Sequence, residues 1–156
     1  MLDCRARDLW REFCDVNEGY DRDAEFQCWY FGDSAEMASE LLSLVIAGKK
    51  TATASLVAVN ELNTYNAPAP IIGGFSVVTD FAGDPRCIIV TSEITHVPFR
   101  DVGAEFARDE GEGDLSLDHW RRVHWEYFSN EARFHRIEFG EDSLVCCERF
   151  ELLHSR

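Results

Sequence analysis

Hydrophobic residues near the N-terminus predict an amphipathic helix followed by a buried extended segment. Apolar side chains recur at helical spacing in residues 4 to 16, with arginines on the opposite face. Residues 26 to 31 contain four aromatic side chains, too many for an exposed loop. Such rings can stack on bases, but packing in a core is their more common use. Residues 1 to 30 are therefore expected to pack on the main domain as a helix and an aromatic lead-in.

A second amphipathic helix is predicted to end at the only two lysines of the chain. Asp33 is expected to cap its first turn, and Gly48 to end it. The β-branched residues between positions 51 and 59 then predict a strand. This junction is expected to bring Lys50 and Thr53 close together at the edge of a sheet.

The rest of the chain predicts strands interrupted by turns, with two further helices. Strand patterns cover residues 75 to 81, 86 to 96 and 143 to 153. Residues 60 to 74 are expected to form a loop bordering the site. A short helix precedes an acidic, glycine-containing run, and Ser116 is a good cap for the helix that follows. Consecutive antiparallel strands imply a meander or a small barrel.

Composition narrows the class of protein. A length of 156 residues fits one domain, and the net charge of -14 opposes association with a polyanion. A general nucleic-acid coat protein is thereby excluded, although a local basic site is not. The six cysteines lack metal-ligand spacing and indicate reduced thiols in a cytoplasmic protein. No membrane span, secretory signal or organic cofactor is expected.

Two groups of residues carry candidate chemistry. Thr53 is a weak nucleophile that needs a base, which a buried Lys50 can supply. In the alternative, Lys50 is a solvated cation at a helix end. Glu110, Glu112 and Asp114 are separated by glycines and are candidate ligands for Mg²⁺ or Mn²⁺. Their alternative role is that of a solvated loop that caps the next helix.

The run from Gly48 to Thr53, Gly-Lys-Lys-Thr-Ala-Thr, resembles the signature of the ASCH family. The segments 31 to 34, 110 to 128 and 145 to 150 resemble further family elements in the same order. Residues 31 to 154 are therefore interpreted as an ASCH domain. The resemblance implies an α+β fold, a small and mostly antiparallel PUA-like β-barrel with covering helices.

The same resemblance implies an RNA- or nucleoside-directed hydrolase. The first interpretation is a metal-dependent ribonuclease acting on single-stranded RNA, with the divalent metal held by the acidic run. One alternative is an amidohydrolase of acetylated cytidine that uses Lys50, Thr53 and Glu110. The other is an RNA-binding module without catalysis. The expected partner is single-stranded RNA or a modified nucleoside, and protein partners are not indicated.

Five further residues are predicted to contact the substrate. Two of them also have a possible structural role: His124 as a core histidine, and Ser129 as a hydroxyl at a helix end. The predicted substrate contacts are Lys49, Ser55, Trp120, His124 and Ser129.

Overall fold

A curled five-stranded mixed sheet forms a half-barrel at the centre of the fold. A computed structural model describes residues 4–64 and 68–156 of the chain. The strands are β1 (Gln27–Trp29), β2 (Ala52–Leu56), β3 (Phe75–Thr79), β4 (Pro85–Pro98) and β5 (Leu144–Ser155). Their order in the sheet is β1-β3-β4-β5-β2, with β1 parallel to β3 and every other pairing antiparallel. The predicted α+β, mostly antiparallel fold is confirmed.

Five helices cover the described part of the sheet. They are α1 (Cys4–Val16), α2 (Ala35–Ile46), α3 (Val57–Asn60), α4 (Ala104–Asp109) and α5 (Leu117–His135). A 3-10 turn at Phe99–Asp101 connects β4 to the segment before α4. Part of the predicted loop at 60 to 74, namely residues 65 to 67, lies outside the described residues. Residues 1 to 3 also lie outside them.

The sequence placed the end of β2 too late. Val57 and Val59 were predicted to continue the strand, whereas they lie in the short helix α3. Val59 is buried there and packs in the core with Leu56. Burial of an apolar side chain therefore outweighs the weak β preference of valine at this position.

Helix ends follow local hydrogen-bonding groups. Ser34, not the predicted Asp33, caps α2, because its Oγ accepts a hydrogen bond from Met37 N at 3.2 Å. Ser116 caps α5 as predicted, accepting from His119 N at 3.1 Å. Gly48 follows α2 with a φ of +73°, a conformation that favours glycine.

The core consists of three apolar clusters on the two faces of the sheet. One packs α4 and α5 against β2 and β5, the second packs α1 against β1 and β3, and the third lies beneath α2. The long β4–β5 pairing changes register between Thr91 and Glu93, an irregularity that bends a sheet. The predicted site residues Lys50, Thr53, Glu110 and Glu112 meet in the cleft between α2, α5 and the edge strand β2.

Candidate active site

Lys50 is a buried lysine held between two helix ends. Its backbone N–H donates to Leu44 O of α2, and the next residue, Thr51, donates to Asp109 O at the end of α4. Only 2% of Lys50 is exposed, so the interpretation of a solvated helix-end cation is wrong. A lysine this deeply buried requires partners for its charge.

Two carboxylates supply those partners. The Lys50 ammonium Nζ lies 3.1 Å from Glu112 Oε2 and 3.8 Å from Glu110 Oε1. It also donates to the backbone carbonyl of Glu110 at 3.4 Å. The Phe31 ring centroid lies 5.6 Å from the same Nζ and covers it with an apolar surface.

Gly111 allows the acidic segment to lie against the lysines. Its φ is +72°, and a Cβ added there would lie 2.2 Å from Lys49 O and 3.0 Å from Lys50 N. No real Cβ approaches a backbone oxygen so closely. A glycine is therefore required for Glu110 and Glu112 to reach Lys50 from both sides.

Helix α5 holds Glu110 from the other side. Trp120 Nε1 donates to Glu110 Oε2 at 2.6 Å, and His124 Nε2 lies 2.9 Å from the same oxygen. His124 Nδ1 lies 2.9 Å from Trp120 O, which can only accept. The imidazole also stacks on the Trp120 ring, with centroids 4.2 Å apart. Both ring nitrogens of His124 therefore face acceptors, an arrangement that suits the imidazolium form.

The electrostatics of the four groups are mutually dependent. Burial alone would raise the pKa of Glu110, but the charges of Lys50 and His124 outweigh it and lower that pKa. For Glu112, burial prevails and the pKa is raised. Burial lowers the pKa of His124, yet the Glu110 carboxylate outweighs burial and raises it. Glu110 is thus the fixed anion of the cluster, and Glu112 is the carboxylate that more readily takes a proton.

A cavity of about 70 Å³ opens onto this cluster. Lys50, Glu110, Glu112 and His124 line it, together with Thr53 from strand β2. Its remaining lining residues are Phe31, Gly32, Met37, Leu41, Ala54, Val123 and Tyr127. We call this space the charged cavity.

A second cavity, of about 90 Å³, adjoins the first and is lined by aromatic rings. Phe31, Thr53 and Tyr127 belong to both linings, so the two spaces share a wall. We call this second space the aromatic cavity. Its other lining residues are Gln27, Trp29, Tyr30, Gly32, Ala54, Ser55, Asn60, Pro68, Pro70, Glu131 and Glu148.

Polar groups are placed among the aromatic rings of this cavity. Glu148 of β5 lies directly opposite Thr53 of β2 in the strand register, and Thr91 donates to its Oε1 at 2.7 Å. Asn60, only 5% exposed, donates through Nδ2 to Ser55 Oγ at 2.9 Å. Its Oδ1 is buried and finds no hydrogen-bond partner within residues 4–64 and 68–156.

Glu131 is the second carboxyl group in the described lining of the aromatic cavity. Burial, and then the neighbouring charge of Asp33, raise the pKa of Glu131 to about 7. Burial also raises the pKa of Glu148, against the hydrogen bond from Thr91 and the charge of Lys50. Both carboxyl groups of this cavity therefore take up a proton more readily than an exposed glutamate does.

The structure brings together most of the predicted catalytic and metal-binding residues. Lys50, Thr53, Glu110 and Glu112 share the charged cavity. Asp114 does not join them: it is exposed, and its Oδ1 accepts from Ser116 N at 2.9 Å. Its position matches the alternative of helix capping.

The five predicted substrate contacts occupy different environments. His124 lines the charged cavity and Ser55 the aromatic cavity. Trp120 is buried behind the cluster, where it orients Glu110, and belongs to neither lining. Lys49 is exposed, and Ser129 is half-buried on α5 away from both linings. The positions of Trp120 and Ser129 thus argue against direct contact with a ligand in these cavities.

Sequence reasoning missed three polar residues of the aromatic cavity, Asn60, Glu131 and Glu148, and also Thr91, which donates to Glu148. Asn60 was predicted to lie in a loop, Glu131 lay beyond the apolar stripe predicted for the last helix, and Thr91 was predicted only to lie in a strand. The strand that contains Glu148 also carries Arg149 and Glu151, so its charge alone did not single it out. Only the strand register placed that carboxyl group beside Thr53.

One group of side chains in the described residues has the spacing of a metal site. Ligand atoms from Glu110, Glu112 and His124 all lie within 4.8 Å of one another. Glu110 Oε1 is buried and lacks a hydrogen-bond partner in the described residues. Two carboxylates and an imidazole suit Mn²⁺ better than Mg²⁺. The donor set fits a metal, but the Lys50 ammonium lies on the same carboxylates and would compete with it.

Comparison with known proteins identifies the family. The sequence model of the ASCH domain family matches residues 27–154 of this chain. No curated protein matches the chain. The chain is similar to the crystal structure of an ASCH domain from Lactobacillus crispatus. That match has a TM-score of 0.87 and 28% identity, and covers 97% of this chain and 96% of the other. The chain is also similar to protein EF3133 from Enterococcus faecalis. That match has a TM-score of 0.81 and 30% identity, and covers 96% and 88% of the two chains.

A more distant match shows the fold alone. It is to a structure described as hypothetical protein PH0355, with a TM-score of 0.51 and 15% identity over 81% of this chain and 99% of that one.

Among residues 4–64 and 68–156, none of the helices combines the length and apolar character that crossing a bilayer requires. The match of the family model to residues 27–154 establishes that the chain belongs to the ASCH domain family, which has a PUA-like fold.

Proposed function

We propose that the protein is a nucleoside-directed amidohydrolase that removes an acyl group from the amino group of a nucleobase. One observation carries the proposal. Thr53 lies on the wall between a cavity containing Lys50 and two glutamates and a cavity lined by aromatic rings. An acylated base in the aromatic cavity would present its amide to the Thr53 hydroxyl.

The reaction follows from these positions. Thr53 Oγ1 attacks the acyl carbon, and its proton passes to the Lys50–Glu112 pair. The amide C–N bond then breaks, and the departing amine takes up that proton. A water molecule attacks the acyl-threonine, which releases the carboxylic acid and restores the hydroxyl. The raised pKa of Glu112 suits it to hold the proton between these steps.

Glu110 acts on this chemistry through Lys50. The indole of Trp120 and the imidazole of His124 fix one of its oxygens, and the other faces Lys50 Nζ. Such fixed, buried partners hold the amine in one position without reorganisation during the reaction. Glu110 is therefore a positioning residue in this proposal.

Charge favours amide chemistry over phosphate chemistry. In the described residues, the two cavities are lined by four glutamates, one lysine and one histidine. A scissile phosphodiester requires positive charge on its oxygens, whereas a neutral acylated base does not. The amidohydrolase alternative is thus better supported than the ribonuclease.

The direct test is hydrolysis of N4-acetylcytidine, followed by chromatography of cytidine and acetate. Wild type should release both products in the presence of EDTA. Thr53→Val should lose turnover by at least about a hundredfold, as expected for loss of a nucleophile. Thr51→Val is the matched control, since Thr51 is exposed and lies two residues away. Equal turnover by the Thr53 and Thr51 variants would refute the assignment.

A metal-dependent ribonuclease is the second candidate, favoured by a cluster of three ligand groups in which Glu110 Oε1 accepts no hydrogen bond from the described residues. Glu110, Glu112 and His124 would hold the ion, which would supply positive charge to a phosphodiester. Cleavage of single-stranded RNA should then require Mn²⁺, be lost in Glu112→Gln and persist in Asp114→Asn. RNA that stays intact with Mn²⁺ would eliminate this candidate.

A further inference from the structure

Asn60, which lines the aromatic cavity, carries a buried acceptor that no described residue satisfies. Only 5% of Asn60 is exposed, yet its Oδ1 has no hydrogen-bond partner within residues 4–64 and 68–156. Its Nδ2 donates to Ser55 Oγ at 2.9 Å, which fixes the orientation of the carboxamide. A buried polar atom without a partner is costly, and binding sites commonly keep one for a ligand.

Glu148 places a second acceptor in the same cavity. Thr91 Oγ1 donates to Oε1 at 2.7 Å, which leaves Oε2 as the oxygen that can meet a ligand. Both Glu148 and Thr91 are buried, so this carboxyl group cannot turn freely toward solvent. Glu148 also lies directly opposite Thr53 across β2 and β5, and directly opposed residues have Cβ atoms about 4.5–5.5 Å apart.

These positions define what a ligand must offer. Trp29, Tyr30 and Tyr127 line the cavity with aromatic surface, which suits a planar ring. Asn60 and Glu148 then present acceptors to that ring, so its matching edge must carry N–H donors. An exocyclic amino group on a single-ring base has two such hydrogens.

We propose that Asn60 and Glu148 are the residues that select the base, by accepting hydrogen bonds from the exocyclic amino group of an aminopyrimidine. This inference rests on the proposed function for the identity of the reacting group, which is that same nitrogen. It carries one N–H while it is acylated and gains the second when the acyl group leaves. A uracil-type base carries a carbonyl oxygen where the aminopyrimidine carries its amino group. That oxygen is an acceptor and would face the acceptors of Asn60 and Glu148 without a hydrogen between them. The pair therefore rejects uracil-type rings and holds the amine as it leaves.

Calorimetric titration with unmodified cytidine and uridine tests the selection without any hydrolysis. Wild type should bind cytidine about 10- to 100-fold more tightly than uridine, the ratio expected when buried acceptors lose their donor. Glu148→Gln places an amide that can donate beside the ring and should narrow that ratio at least about tenfold. Asn60→Ala removes the other acceptor and should also narrow it.

Glu151→Gln is the matched control, because Glu151 lies on the same strand as Glu148 but is exposed and belongs to neither cavity lining. It should leave the ratio of the two affinities unchanged. Equal binding of cytidine and uridine by wild type, or no binding of either, would overturn the inference. An unchanged ratio in Asn60→Ala would do so even if Glu148→Gln failed to fold.

The outcomes separate this inference from the proposed function. Selective binding of cytidine without hydrolysis of N4-acetylcytidine would retain the subsite and reject the amidohydrolase. Hydrolysis that continues unchanged in Asn60→Ala and Glu148→Gln would retain the amidohydrolase and reject the subsite.

Discussion

Substitution of Gly111 by alanine tests whether close packing of two backbone segments builds the charged cluster. Gly48 provides a matched control, because its φ of +73° is nearly the same as the +72° of Gly111. A Cβ at Gly48 would meet nothing within 4 Å, whereas one at Gly111 would lie 2.2 Å from Lys49 O. The two substitutions thus share the cost of a left-handed backbone and differ in the steric overlap.

The expected losses follow from these two contributions. A left-handed conformation costs an L-residue roughly 1–2 kcal/mol, which is the whole effect expected of Gly48→Ala. Overpacking adds typically about 1–3 kcal/mol, so Gly111→Ala should lose about 2–5 kcal/mol in total. The neighbour at Gly111 is backbone, which cannot rotate away as a side chain can.

Urea denaturation of both variants gives the free energy of unfolding by linear extrapolation. Gly111→Ala should be the less stable, and it should also lose activity, since relief of the overlap moves Glu110 and Glu112 away from Lys50. Equal losses in the two variants would show that the close approach of Gly111 to Lys49 does not hold the cluster together.

Two further predictions concern charged groups. Lys50→Ala should lose about 3–5 kcal/mol, because it removes the buried cation that faces Glu112 and Glu110 Oε1. The exposed Lys49→Ala should stay within about 0.5 kcal/mol, and urea denaturation measures both. Burial and a neighbouring aspartate raise the pKa of Glu131 from 4.5 to about 7, so wild-type stability should fall as the pH rises through that interval. Glu131→Gln should lack this fall in thermal unfolding. At about 1.4 kcal/mol per pKa unit, it should be more stable than wild type by at most about 3.5 kcal/mol above pH 7 and equally stable below pH 4.5. If the stabilities of wild type and Glu131→Gln changed with pH in the same way, the raised pKa of Glu131 would be contradicted.

Local signals in the sequence predicted much of the fold. Ser116 was recognised as a helix cap because a serine hydroxyl before an apolar stripe satisfies a free backbone N–H. Gly48 was recognised as a helix end because only glycine adopts its conformation at little cost. Both properties belong to one residue and its near neighbours, so they can be read without the structure.

Contacts between distant segments could not be read in the same way. The pairing of Thr53 with Glu148 depends on strand register, and the contact of Lys50 with Glu112 spans 62 positions. A lysine at a helix end is expected to be exposed. Nothing near Lys50 in the sequence indicates its burial, because the carboxylates that allow it are far away along the chain. Asn60 carried no signal, since its orphaned oxygen is a property of the folded cavity.

The most direct test of the account is a rapid-quench reaction with N4-acetylcytidine, read by mass spectrometry of the intact protein and its peptides. Wild type should gain the mass of one acetyl group before it reaches steady state, on the peptide that contains Thr53. Thr53→Val should gain none and release no cytidine. Release of cytidine by Thr53→Val at the wild-type rate would contradict the central claim that this threonine is the nucleophile.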